Sequence, residues 1–412
     1  MNTLNFDQLA GAVSKDAALR RRQRLQPAGG NGDKIFPPTY PGEGRNEPPR
    51  HVFERRRVNE REVWCVLVDS VQSQANRLEE CLIQSVRQNN GGINIPHVSV
   101  DFSGRNIAGI TEITSLEAPH RVYDAIFRDS MLDGEPFMKS ELGRRLAKAK
   151  LDDASVVAET SPTALVFGAW HSTGEGGGLG AKFARCLVSE IVGVDVPVEE
   201  LTNSRSGGVE VRTAGRRTGS RIDPLGILRK VEVFKGANGW DVTKDGAGKN
   251  AKQVRPSEIN HGNIAPTVAP LGITCDYIEH TFVLSFAGLR RLRFRSESRN
   301  AAGRTFLAAL GLLAIAEQDA QGYSLRSRCE LVCDGTASFE LVHPDGATTE
   351  IRLDRNSAIN LYKASFEAAG KAGFEFPSKP VRLTPQEKLV KIVRDSQELA
   401  LSGEGGESEE VE

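Results

Sequence analysis

Apolar residues fall into short runs along this chain, separated by polar and glycine-rich stretches. Glu62–Asp69 (EVWCVLVD) is a near-continuous apolar run of strand length and predicts a buried strand. Ser70 then stands where a helix cap belongs, and residues 71–88 place Val71, Ala75, Leu78, Leu82 and Val86 on one helical face. Val98–Phe102 alternates like a short strand. Pro119–Arg128 and Lys139–Lys150 predict helices. Thr163–Trp170 (TALVFGAW) predicts a strand, followed by the glycine-rich loop Gly174–Gly180 and a helix over Lys182–Val192. TFVLSF, within Leu271–Phe286, predicts a strand, and Ala301–Glu317 a strongly apolar helix. Leu331–Cys333 and Phe339–Val342 predict strands, with a hairpin turn near Asp345-Gly346. Ala358–Ala369 and Pro385–Leu401 predict two more helices. At the start, residues 1–25 predict a short helix ending in the basic run Arg20, Arg21, Arg22, Arg24. Residues 27–50, dense in Gly and Pro, predict an extended arm.

Strands and helices mix here without a regular βαβα alternation, and long insertions interrupt them, which favours an α+β fold over a doubly wound sheet. Residues 203–270 change character: they are rich in Gly, Asn, Arg and Lys, with short strand-like pieces such as Val231–Phe234, and predict an inserted lobe. The sequence shows no internal repeat.

The 412 residues, 39% hydrophobic and 26% charged, suit a soluble globular protein with a full core. No apolar run approaches the roughly 18 residues of a membrane span. The N-terminus lacks an apolar stretch after a basic start, so a cytoplasmic protein with no secretory leader is expected. Cys65, Cys81, Cys186, Cys275, Cys329 and Cys333 are scattered through apolar segments and are expected to be reduced core thiols. Cys329 and Cys333 alone are close, and no second pair completes a zinc set, so no metal is expected.

A net charge of −1 conceals an asymmetry. The last 18 residues carry seven acids and no base, leaving +6 on the remainder. Arg205–Lys230 holds seven bases against two acids, and Arg290–Arg304 six against one. Local positive potential is what nucleic acid demands, because each phosphate neutralised releases counterions.

Four segments carry candidate chemistry. The loop GEGGGLGAK (Gly174–Lys182) formally matches a dinucleotide fingerprint at Gly176-x-Gly178-x-x-Ala181, with Glu199 and Glu200 about 20 residues on. It lacks the Gly-Lys-Ser/Thr of a P-loop. If it opens a helix, its backbone N–H groups with Lys182 and Arg185 make a phosphate seat open to RNA or to a dinucleotide. SVQSQANR (Ser70–Arg77) offers Gln72, Gln74, Asn76 and Arg77 to phosphate, sugar or base edges. GGNGDKIFPPTY (Gly29–Tyr40) pairs Lys34 with Phe36 and Tyr40, a combination suited to single-stranded nucleic acid or to pinning the arm. Ala118–Arg121 and Trp170-His171 add His120, Arg121, Trp170 and His171. Nothing joins either histidine to a nucleophile, so a hydrolase is not supported.

Four stretches in this order, GDKIFPPTY (Gly32–Tyr40), VLVDSVQSQANRLEE (Val66–Glu80), SLEAPHRVYDAIFRDS (Ser115–Ser130) and SPTALVFGAWHSTGEGGGLGAKFARCLVSEIVG (Ser161–Gly193), resemble the backbone subunit of type I-G (formerly I-U) CRISPR Cascade complexes, the Cas-seven group of the RAMP superfamily. The resemblance extends more loosely to about residue 375. It implies a modified RNA-recognition-motif (ferredoxin-like) palm, here over 61–375, with inserted finger and thumb lobes; the helical stretch at about 103–160 is the candidate finger, and charge and loop content make the basic lobe at 203–270 the candidate thumb. By pattern and composition, residues 1–60 are expected to be an N-terminal helix and arm, 376–402 a C-terminal helix and 403–412 a disordered acidic tail, which has no counterpart in that family. It implies a non-enzymatic protein without cofactor that binds CRISPR RNA and stacks with copies of itself along the guide. It would meet target DNA through the guide, contact other Cascade subunits, and have no membrane association. RNA contacts are expected at Lys34, Phe36, Gln72, Gln74, Asn76, Arg77, His120, Arg121, Trp170, His171, Gly176, Gly177, Gly178, Lys182 and Arg185. Arg212, Arg216, Arg217 and Arg221 are expected to serve the thumb. Two alternatives stand beside this: a metal-dependent ribonuclease using Asp33, and a nucleotide-binding enzyme using the Gly174–Lys182 loop.

Overall fold

A computed structural model describes residues 2–41, 49–171, 180–202, 209–213 and 217–402. The fold is mixed α+β, as the pattern predicts, and divides into two compact units. Unit 1 comprises residues 1–31, 68–193 and 277–397; unit 2 comprises 32–67, 194–276 and 398–412.

Unit 1 is built on an open sheet of β1 (Asn2–Thr3), β2 (Ala18–Pro27), β3 (Leu187–Val194), β4 (Tyr277–Ser285), β5 (Tyr323–Arg326), β6 (Cys329–Cys333), β7 (Phe339–Val342) and β8 (Thr348–Arg352). Its order is β1-β8-β7-β2-β4-β3, with the β5–β6 hairpin joined to β2 through β6. β2 and β4 run antiparallel, in register from Ile278 opposite Leu25 to Ser285 opposite Ala18. The same β2 pairs with β7 at its start and with β6 at its end.

The sequence ALRRRQRLQP explains this central place. Leu19, Arg21, Gln23 and Leu25 are buried, while Arg22 and Arg24 face outward, a period of two that only a strand supports. The expected helix therefore stops at Lys15, and the basic run is a strand. On β4, Ile278, His280, Phe282 and Leu284 bury with the same period. The turn at Asp345-Gly346 closes β7 on β8 as expected, with Gly346 at φ +87°.

The helices α1 (Phe6–Lys15), α2 (Val71–Arg87), α3 (Glu297–Gln321) and α4 (Arg355–Lys371) form the other layer, with α1, α2 and α4 all packed on α3. α3 is buried along most of its length, from Asn300 through Gln318, which explains its near-uniform apolar composition. Ser70 caps α2 by accepting the Ser73 amide at 3.2 Å, as the sequence predicts. A second, five-stranded sheet in unit 1 has the order Glu112–Thr114, Val98–Asp101, Val381–Pro385, Ser130–Leu132, Glu135–Pro136.

Two expectations are corrected. Thr163–Trp170 is not a strand: Thr163–Val166 is helical after Pro162, and only Ala169–Trp170 is extended. Every residue from Ser161 to Gly168 is buried, and a fully buried apolar run has no periodicity to separate helix from strand. Lys182–Val192 is not a helix. Lys182–Phe183 pairs with Ala169–Trp170, and Leu187–Val194 is β3, with Leu187, Ser189 and Ile191 buried and Val188 exposed. Its β-branched residues suit a pleated surface. The glycine loop therefore leads into a strand, and the helix N-terminus expected behind it is absent.

Unit 2 is made of small antiparallel pieces. Phe53–Val58 forms a hairpin with Arg61–Asp69 around Asn59 and Glu60, both in the left-handed region, although the last residues of that second strand belong to unit 1. Val198–Thr202 pairs with Val209–Thr213, Arg217–Arg221 with Ile264–Ala269, and Val233–Gly236 with both Gly239–Asp241 and Lys252–Val254. Ile35 bridges Ile273, holding the arm inside this unit. The tail 403–412 lies outside the described residues.

Candidate nucleic-acid interface

The polar junction after Asp69 divides into an outer and an inner face. Gln72 and Asn76 are exposed on α2. Gln74 is fully buried, and its Nε2 donates to Asp69 Oδ2 at 2.7 Å. Arg77 Nε donates to the same carboxylate at 3.0 Å, and Arg326 Nη2 to its other oxygen at 3.1 Å. The chain of polar groups continues inward. Ser189 on β3 donates to Gln74 Oε1 at 3.1 Å and lies 2.6 Å from His280 Nε2. His280 Nδ1 is 3.1 Å from the Tyr323 hydroxyl, which donates to Asp319, itself held by a two-pronged Arg21 ion pair. Burial drives the His280 imidazole down to about 3, so the ring is neutral and donates to only one of its two neighbours. Gln74 and Arg77 thus tie α2 to the sheet.

Arg121 is likewise turned inward. It sits at φ +54°, and its guanidinium donates to Glu79 Oε1 at 2.9 Å and Oε2 at 2.6 Å, and to the Gly168 carbonyl at 2.9 Å. Both partners are almost completely buried. Burial raises the Glu79 carboxyl above the usual range, and Arg121 opposes that shift. Gly168 adopts φ +84°, which a residue with a side chain rarely takes. The neighbouring His120 side chain is exposed.

The short ladder at the foot of the glycine loop is different. Trp170 is 58% exposed, and Lys182, directly opposite it in register, places its Nζ 5.2 Å from the indole centroid. Such an exposed cation–π contact is worth about 0.5–1 kcal/mol. Behind it His171 is buried, stacked on Tyr123 with centroids 5.4 Å apart, and its Nδ1 has no hydrogen-bond partner among the described residues. Burial, aided by Arg128, lowers the His171 pKa below the ordinary histidine value. Gly180 closes the ladder; a Cβ there would lie 2.2 Å from the His171 carbonyl oxygen. Gly176, Gly177 and Gly178 lie outside the described residues.

Beyond Lys182, unit 1 carries further exposed cations at Arg185, Arg291 and Arg293. Arg185 is exposed, and burial of part of its side chain, with Arg121 nearby, lowers its pKa. Arg291 acts on the adjoining Cys186, whose thiol burial pushes up to about 11. Arg290 and Arg293 act on Arg304, lowering it together with burial, while Glu297 opposes them. Arg291 and Arg293 are exposed, and Leu292 and Phe294 between and beyond them are buried. Among the described residues, Lys182, Arg185, Arg291 and Arg293 have no carboxylate partner. Arg291 and Arg293 were not singled out from the sequence individually. The signal was present in the excess of six bases over one acid at Arg290–Arg304 and in the apolar–basic alternation of RRLRFR.

In unit 2, Phe36 is buried, and it and Lys34 close around Gly272, where a Cβ would meet both side chains at 2.8 Å. Asp33 Oδ1 accepts the Lys34 amide at 2.8 Å. Among the described residues no three His, Cys, Asp or Glu side chains gather as a metal set. Arg212 pairs with Glu199 at 3.3 Å. Arg217 and Arg221 lie on the strand Arg217–Arg221, and Arg216 is outside the described residues. The described cysteines are free thiols, with Cys65, Cys81, Cys186 and Cys329 buried and Cys333 exposed. No helix among the described residues is long and apolar enough to cross a membrane.

No curated protein matches the chain. The crystal structure of Thermofilum pendens Csc2 aligns with 97% of this chain and 81% of its own at 10% identity, with a TM-score of 0.28. Residues 19–198, less than half of the chain, match the model of the CRISPR-associated protein GSU0053 family, Cas_GSU0053, and that stretch contains Gln72–Arg77, Arg121, Trp170, Lys182 and Arg185.

Proposed function

We propose that this chain is the CRISPR RNA-binding backbone subunit of a type I-G Cascade complex, oligomerising along the guide and presenting it to target DNA without catalysing a reaction. The observation that carries the reading is that Lys182, Arg185, Arg291 and Arg293 in unit 1 are exposed and, among the described residues, left without carboxylates in a protein that pairs most of its other described arginines. A phosphate backbone supplies the missing counter-charge, and it does so without regard to base sequence. The likeness of residues 19–198 to a CRISPR-associated family points to guide RNA as the polymer. In this reading the sheet with α2 and α3 serves as an RNA-recognition-like palm. Gln72, Asn76 and His120 meet RNA directly, while Gln74, Arg77 and Arg121 fix the surface beneath them. The lobe with Arg212, Arg216, Arg217 and Arg221 acts as the thumb, and Lys34 contributes from the arm.

The test is to express the chain with and without a CRISPR array and its neighbouring subunits, then extract and sequence bound nucleic acid. Array-derived RNA of defined length in a ribonuclease-sensitive assembly is the expected result. A nucleic-acid-free monomer in the presence of the array and partners would overturn it.

A further inference from the structure

Trp170 is the one indole in unit 1, and among the described residues its ring meets no buried partner. In unit 2, Trp64 donates its Nε1–H to Glu200 at 2.9 Å with Arg55 over its ring, and Trp240 packs edge-on to His261. Trp170 instead stands more than half exposed, with the flexible ammonium of Lys182 as its one described ring partner. Its backbone is held in place on several sides. The two-residue ladder fixes Trp170 opposite Lys182, the Ala181 carbonyl accepts the His171 amide at 2.8 Å, and His171 is anchored beneath by stacking on Tyr123. Arg185 follows a few residues along the same segment, also without a carboxylate partner among the described residues.

An exposed ring on a fixed base, beside unpaired cations, is the equipment of single-strand recognition: the ring takes a base and the cations take its phosphates. A lysine on a ring is displaced readily, because its stem has four rotatable carbons and its ammonium gains more from a phosphate than from an exposed indole. We infer that Trp170 is a stacking platform for one unpaired nucleobase of single-stranded RNA, and that Lys182 swings from the ring to the adjoining phosphate as the base arrives. This rests on the RNA-binding reading above and adds to it a base-dependent contact, indifferent to salt, on an otherwise backbone-directed surface. Purines, with the larger ring face, stack more strongly than pyrimidines.

The test uses the full chain and fluorescently labelled RNA of about twelve nucleotides, a length within single-strand site sizes. One probe is oligoadenylate, the other the same ribose-phosphate backbone without bases. Oligoadenylate is expected to bind about tenfold more tightly than the abasic probe, as stacking on one aromatic ring implies. Trp170→Ala removes that difference and leaves abasic binding unchanged, whereas Trp170→Phe keeps most of it. Equal binding of the two probes by the unaltered chain overturns the inference. So does an equal loss on both probes in Trp170→Ala with Trp170→Phe unchanged, or a change in oligomeric state with RNA affinity intact, which would make Trp170 a protein contact. Failure of both probes to bind overturns the RNA reading itself.

Discussion

Unit 1 uses arginine in two opposite ways. Arg21, Arg77, Arg121 and Arg326 are turned inward, each answered by a carboxylate, and Arg77, Arg121 and Arg326 also donate to backbone carbonyls. At the surface, Arg185, Arg291 and Arg293 are exposed and unanswered among the described residues. The residue type is the same and the energetics are not. A buried guanidinium must be neutralised by its own protein or the fold fails, whereas an exposed one remains available to a partner. Position in the fold, more than basicity, separates scaffold from interface.

Breaking the buried side should have the largest effect. Arg121→Ala strands the Glu79 carboxylate and is expected to cost about 3–5 kcal/mol, read as a fall in the midpoint of chemical denaturation; a loss below about 1 kcal/mol would show that water reaches Glu79. The buried His280 gives the next effect. Its folded pKa lies near 3, below the unfolded value, so the unfolded chain binds the extra proton. Stability is complete above about pH 6.5 and declines as pH falls toward 3, with about 2 kcal/mol lost from this group between pH 7 and pH 5. His280→Gln should flatten that part of the stability–pH curve. On the exposed side, Arg291→Ala with Arg293→Ala should leave the denaturation midpoint within about 0.5 kcal/mol. It should weaken single-stranded RNA binding about tenfold at low salt and reduce the log–log salt slope by about 1.4; an unchanged slope would remove these two arginines from the interface. The smallest effect is expected where a pair is present but wet. Arg20 and Glu340 meet at 2.6 Å across β2 and β7 with both side chains near half exposure. Glu340→Gln should change stability by less than about 0.5 kcal/mol.

The sequence made the periodic and the capped elements legible. Ser70 and α2, the strand β4 with TFVLS at its end, and α3 each announce themselves by spacing or length. It misled where periodicity was missing or charge was striking. Thr163–Val166 is buried all round, Lys182–Val192 has its alternation blurred by Cys186 and Val192, and in ALRRRQRLQP the charge masks the alternation that carries the structure. For the site, composition located the basic clusters, yet it had no means of telling Gln74 and Arg121, which hold the fold, from Trp170 and Lys182, which face outward. That distinction needs partners such as Asp69 and Glu79, and tertiary structure supplies them.

The place of β2 also bears on how the chain is made. Its partners arrive late: Arg20 and Glu340 are 320 residues apart in sequence. At roughly 5–20 residues per second, a ribosome needs on the order of 16–64 s to deliver β7 after β2 has emerged. Until β4 is made both edges of the central strand are open, and until β7 is made the edge that β7 will cover stays open, the condition under which nascent strands pair with the wrong chain. Arg20, Arg22 and Arg24 put like charges along one face of that strand, which disfavours its pairing with the same strand of a neighbouring nascent chain; in the folded protein the same run meets Glu340, Glu279 and the Tyr277 ring.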